Sequence, residues 1–188
     1  MKNYNFDDYI EEQLWHKRKV FLWGEVNAES VKKAARQILL LDSIDNKEIQ
    51  LIINSPGGSV YDGMALYDVM QSAKSPVGTV CMGMALSMGS ILLAAGNAGL
   101  RKAYAYSRIM IHQPSSGAQG RLADIERQLD EVLKAKQTGA KLLAHHSGQT
   151  VEKILADFDR DHWMSATEAK EYGLIDEVIA EETLEFIK

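Results

Sequence analysis

The chain has 188 residues, 46% of them hydrophobic and 25% charged, with a formal net charge of -5. That is room for one domain, residues 1–188, with a substantial core, and the acidic balance leaves no basic footprint for nucleic acid. The single cysteine, Cys81, excludes an intramolecular disulfide framework and fits a reducing compartment.

The first eight residues contain no apolar run of the kind a secretory signal needs. Residues Asp7–Trp15 carry acids early and apolar residues at Tyr9, Ile10 and Leu14, a short amphipathic helix. Lys19–Trp23 reads as a strand. A helix starts near Glu29-Ser30, with Val31, Ala34, Ala35, Ile38 and Leu39 as its apolar face. Ile49–Ile53 predicts a buried strand, and Val60–Gln71 a helix presenting Met64, Leu66, Tyr67 and Met70. Val77–Cys81 is a β-branched strand, and Ser87–Ala95 a buried helix. The longest apolar stretch, Met82 to Ala95, is broken by glycine and serine and is too short to span a bilayer. Ile109–Ile111 predicts one more strand, and Leu122–Ser147 a long charged helix striped by Ile125, Leu129, Val132 and Leu133. Strands alternating with helices imply parallel β-α-β crossovers and an α/β class.

Three segments carry candidate chemistry. Ser87 stands where a strand turns into a helix, among small residues; there a serine acts either as a helix cap or as a nucleophile beside free backbone N–H groups. His112 closes an apolar run where packing alone would place another aliphatic residue. Asp161 lies in the Asp159-Arg160-Asp161 cluster, just ahead of a predicted helix. A hydroxyl, a base and an orienting acid are what nucleophilic hydrolysis requires, although such a trio can be picked from any chain of this size. Gly57-Gly58 has no side chains and lets backbone approach a substrate carbonyl closely; Pro-Gly would equally suit an ordinary turn. Cys81 reads as a small buried strand residue. His145 and His146 lack a third ligand for a metal and read as surface residues at a helix end; Trp163 and Met164 read as core anchors.

Asn54-Ser-Pro-Gly57-Gly58-Ser-Val60, Met82-Gly-Met-Ala-Leu-Ser87-Met88-Gly89, Ile111-His112-Gln-Pro114 and Arg160-Asp161 followed by Met164-Ser-Ala-X-Glu-Ala169 resemble the proteolytic-subunit (ClpP) family of the Clp proteases. The likeness is collinear from about Phe6 to Ile179. It implies a serine peptidase of crotonase-like fold, with Ser87 as nucleophile, His112 as base and Asp161 as acid. The backbone N–H groups of Gly58 and Met88 then form the oxyanion hole. It also implies two stacked seven-membered rings, a tetradecamer, with the long helix as a ring-to-ring element. Unfolded polypeptides would be threaded inside by a hexameric unfoldase of the ClpX, ClpA or ClpC type. That partner would use the ATP, since this chain has no phosphate-binding loop, and no metal or other cofactor is expected. A cytoplasmic location is expected, with neither membrane nor nucleic acid as partner.

Against the family pattern, the segment ahead of the first helix is short for an axial loop. Gln50 and Ile52 stand where tyrosines usually line the ATPase docking groove, and Leu86 replaces a small residue beside Ser87. Two alternatives follow: a low-activity scaffold or paralog subunit in a mixed ring, and another crotonase-fold enzyme acting on acyl-CoA. The latter class uses carboxylates rather than a serine–histidine pair.

Overall fold

The computed structural model describes residues 6–115, 117 and 119–179. The expected short N-terminal segment lies largely outside them. In chain order the first elements are α1 (Phe6–His16), β1 (Lys19–Trp23), α2 (Ala28–Ile44), β2 (Ile49–Ser55), α3 (Val60–Ser72), β3 (Val77–Leu86) and α4 (Met88–Ala94). There follow β4 (Arg101–Tyr104), β5 (Arg108–Ile111), α5 (Leu122–Ser147), α6 (Val151–Asp157), β6 (His162–Ser165), α7 (Ala166–Tyr172) and β7 (Glu177–Ile179).

Strands β1, β2, β3, β4 and β7 lie side by side in that order, every pair parallel. Such strands are covered on both faces, so continuous apolar runs are the right composition for them. Ile49, Leu51, Ile52 and Ile53 of β2 and all of Val77–Cys81 in β3 are buried. β3 is the element that positions the site. It runs ten residues, five beyond its β-branched start, because Met82–Leu86 stays extended instead of turning. Its first half pairs with β4 through Thr79–Cys81, and its end pairs with β5 through Met84–Leu86. β5 in turn holds β6 antiparallel, His162 opposite Ile111 and Trp163 opposite Met110. The sheet therefore forks at β3, and the fork carries three different segments to one place.

Local chemistry explains the helix boundaries. Asn27 caps α2, its side-chain oxygen accepting from the Glu29 and Ser30 amides at 3.0 Å each. The buried face of α2 is Val31, Ala34, Ile38 and Leu41. Leu39, expected on that face, is instead 52% exposed, because the spacing that continues from Ile38 reaches Leu41. The carboxylate cluster before Asp161 is followed by a strand, β6, and only then by the anticipated helix, α7. Within β6 the inward residue is Met164, whereas Trp163 is 47% exposed and is no core anchor. Helix α5 matches its expected span, but its burial is uneven. Gly139, Ala140, Leu143 and Ala144 pack inward, while Leu129 and Leu133 are 55% and 51% exposed.

A buried polar lock joins the sheet to the end of α5. Arg101 on β4 donates Nε to one Asp176 carboxylate oxygen at 2.9 Å and Nη2 to the other, while its Nη1 donates to the His146 and Gly173 carbonyls at 2.7 and 2.9 Å. Nearby, Tyr67 and His146 Nε2 share a hydrogen bond of 3.0 Å. Burial, with His145 and Arg101 adding repulsion, pushes the His146 imidazole down to about 4. It is thus neutral at physiological pH and not the charged surface group expected at a helix end. A depressed histidine works against the folded state in acid. Between about pH 6.5 and 4 the unfolded chain binds a proton that the folded chain refuses, so stability falls as pH falls through that window. Replacing His146 by Gln, which keeps a partner for Tyr67, should flatten that slope. Urea titrations of both proteins at pH 7 and pH 5 measure it, and equal slopes would contradict the assignment.

Candidate active site

Ser87 follows the last residue of β3 and precedes the first of α4, with φ 53° and ψ -122°. A side-chain-bearing residue held at positive φ is strained, and among the described residues only Arg18 shares this feature. The strain is imposed from both sides. The Ser87 amide donates to the Met110 carbonyl of β5 at 2.9 Å, and its own carbonyl accepts from the Ser90 hydroxyl at 2.6 Å. The side chain makes no capping hydrogen bond to α4, so the capping reading of a serine at this turn does not hold. It faces His112 instead, Oγ standing 2.8 Å from Nε2.

His112 is the first residue after β5, and Asp161 the residue before β6, so the antiparallel register that pairs Ile111 with His162 sets them opposite each other. His112 Nδ1 is 3.1 Å from Asp161 Oδ1. With Nδ1–H donating to the carboxylate, Nε2 is left to accept the serine hydroxyl proton. The histidine side chain is 26% exposed and the aspartate 58%. The three residues singled out in the sequence therefore meet, from positions 25 and 49 residues apart along the chain.

The glycine loop after β2 lies against the same turn. A Cβ on Gly57 would stand 2.6 Å from the Ser87 Cβ and 2.7 Å from the Leu86 carbonyl, so only glycine fits there. Val26 binds the loop from the other side: its N–H donates to the Gly57 carbonyl, and its carbonyl accepts from Ser59 N–H, both at 2.8 Å. In extended backbone this leaves the Gly58 N–H on the opposite side from Val26. Met88 is the first residue of α4, so its N–H has no carbonyl a turn earlier to bind. Its side chain is buried, 2% exposed, in a space that Gly63 of α3 leaves open, which fixes the backbone of the turn.

Cys81, in β3 six residues before Ser87, is fully buried, and burial pushes its thiol up to about 11. It is a packing residue, as expected. Among the described residues no three His, Cys, Asp or Glu side chains are grouped to hold a metal ion. Nor is any described helix long and apolar enough to cross a membrane. Sequence reasoning missed Gly57 as the residue that admits Ser87, and Gln113 and Lys136 as neighbours of the histidine; the Gly-Gly pair was a signal for the first, and nothing in the spacing signalled the other two.

A serine, an imidazole and a carboxylate hydrogen-bonded in series, beside backbone N–H groups at a strand–helix turn, define the arrangement of a serine hydrolase. Comparison with known proteins narrows the class. The family model described as Clp protease matches residues 2–182. The chain is 48% identical over 171 residues to the ATP-dependent Clp protease proteolytic subunit of Bacteroides fragilis, a match covering 90% of this chain and 83% of that one. The subunit of the same name from strain YCH46 of that species is also 48% identical over 171 residues, covering 90% and 78%. The chain belongs to the Clp protease family, and it is a serine endopeptidase subunit of that kind.

Proposed function

We propose that Ser87 is the nucleophile, His112 the general base and Asp161 the acid that holds the base. The observation that supports this most is the unbroken hydrogen-bonded series from Ser87 Oγ through the imidazole to the Asp161 carboxylate. Ser87 Oγ attacks the peptide carbonyl carbon as its proton passes to His112 Nε2. Asp161 stabilises the imidazolium that forms. The carbonyl oxygen, now anionic, is received by the N–H groups of Gly58 and Met88, donors of a kind worth ~2.7–4 kcal/mol each in the transition state. His112 returns the proton to the leaving amine, and water releases the acyl group by the same steps in reverse. No cofactor in this chain enters the scheme.

The relatives' name, ATP-dependent Clp protease proteolytic subunit, supports a compartmentalised assembly served by a separate ATPase. In this reading the subunits form heptameric rings stacked as a tetradecamer in the cytoplasm, with a hexameric unfoldase of the ClpX, ClpA or ClpC type feeding in unfolded polypeptide. Two observations favour assembly. The outer half of α5 exposes Leu122, Leu129 and Leu133, which water alone would leave unburied, and Asp161 is more than half exposed in the single chain. Docking is where this chain departs from the family pattern. Ile52 is 4% exposed and belongs to the core, so it offers no docking surface, and Gln50 is polar. We therefore place the ATPase-facing ring with a paralog, and expect the homomer to degrade folded substrates poorly. Native mass measurement of the purified protein should give heptamers or double heptamers, and Leu129→Lys with Leu133→Lys should reduce double rings to single ones. A monomer at micromolar concentration contradicts the assembly, and efficient ATP-dependent degradation by the homomer contradicts the mixed ring.

A further inference from the structure

The residue after the histidine is tied to the loop that carries the acid, and both are tied to α5. The Gln113 amide donates to the Phe158 carbonyl at 2.7 Å. Its side-chain Nε2 donates to the Asp159 carbonyl at 2.8 Å and to the Asp159 carboxylate at 3.3 Å. Its remaining polar atom, Oε1, accepts from Lys136 Nζ at 2.8 Å. The same ammonium lies 3.8 Å from the Asp159 carboxylate. One lysine thus faces both members of the link. Lys136 is unlike an ordinary lysine on a charged helix: its side chain is 24% exposed, turned inward just before α5 begins to bury Gly139 and Ala140. A solvated lysine gains little from one exposed carboxylate, so the inward geometry is set by the two partners together.

We propose that Lys136 is a positioning residue for the hydrolytic site: through Gln113 and Asp159 it holds the His112 and Asp161 backbones in the register their hydrogen bond needs. The inference rests on the assignment of Ser87, His112 and Asp161 given above. Its physical basis is lever length. His112 and Asp161 sit at the ends of short strands, each four residues long, and neither end is continued by sheet. Beyond Ile111 and His162, among the described residues, the two segments are joined by the His112–Asp161 pair and the Gln113 bonds. Without the ammonium, Gln113 Oε1 loses its donor and the Asp159 carboxylate its counter-charge. Both are then drawn outward to water, and the imidazole is free to turn from Ser87. Misplacement of reacting groups by about 1 Å costs up to ~100-fold in rate.

Lys136→Met keeps the stem and removes the charge; Lys136→Arg restores a donor to both partners. The experiment compares the rate at which a fluorophosphonate labels Ser87 in the full-length wild type and both variants, with peptide kcat and KM, melting temperature and native mass alongside. The inference expects labelling and kcat to fall on the order of 10- to 100-fold in Lys136→Met. KM, melting temperature and ring mass should hold, and Lys136→Arg should recover most of the rate. Labelling of Lys136→Met at the wild-type rate overturns it. So does a loss that tracks a lowered melting temperature or broken rings, which would make Lys136 a structural tie. If wild-type Ser87 takes no label, the assignment of the three residues fails first, and this inference with it.

Discussion

Ser87→Ala is expected to abolish peptide hydrolysis and leave the fold in place. The hydroxyl makes one side-chain hydrogen bond, to His112, and caps nothing, so its removal disturbs little packing. Relief of the positive-φ strain is not at stake either, since alanine inherits the same backbone. His112→Ala should be nearly as severe, and the double variant no worse than the single ones, because members of such a series act as a unit and their losses do not add. Steady-state cleavage of a fluorogenic peptide, with circular dichroism and native mass as controls, measures this. Turnover in Ser87→Ala comparable to wild type would remove the serine from the mechanism.

Arg101→Met should cost the fold about 3–5 kcal/mol, the usual consequence of removing one partner from a buried ion pair. Arg101 is only 10% exposed in its side chain and serves Asp176 with two nitrogens, besides the His146 and Gly173 carbonyls. Burial raises the Asp176 carboxyl, but the hydrogen bonds from the Arg101 side chain and backbone outweigh it and hold the group below its ordinary value. Left without Arg101, that carboxylate must be solvated or protonated. Arg101→Lys should not rescue the loss, because one ammonium cannot copy a planar fork. The Asp176 contribution is present above the ordinary carboxylate value and disappears as pH falls below it, a window lower than that of His146. Urea denaturation at neutral pH is the measurement, and a loss under 1 kcal/mol would mean that the lock is ornamental.

Most of the elements were legible because their signals are local. Lys19–Trp23 and Leu122–Ser147 fall where the apolar spacing places them, and Ser87, His112 and Asp161 each stand out within a few neighbours. What was hidden depends on tertiary pairing. β4 and β7 are four and three residues long, too brief for a period to show, and they exist because β3 and β4 offer them edges. The Arg101–Asp176 lock joins residues 75 positions apart, and nothing near either one announces the other. The fork in β3 depends on Met82–Leu86 remaining extended, which glycine and methionine do not favour by propensity and which pairing to β5 enforces. The inward turn of Met164 and the outward turn of Trp163 follow from register with β5, not from their sizes.

Hydrolysis by this chain is expected to rest on one serine activated by one histidine. Incubation of the full-length protein with a fluorophosphonate, followed by peptide mapping of the adduct, addresses it most directly. A single adduct is expected, on Ser87, that is lost or slowed at least 100-fold in His112→Ala, in keeping with general-base contributions of ~100–10,000-fold. An adduct on a different serine, or Ser87 labelling that is indifferent to His112, would contradict it.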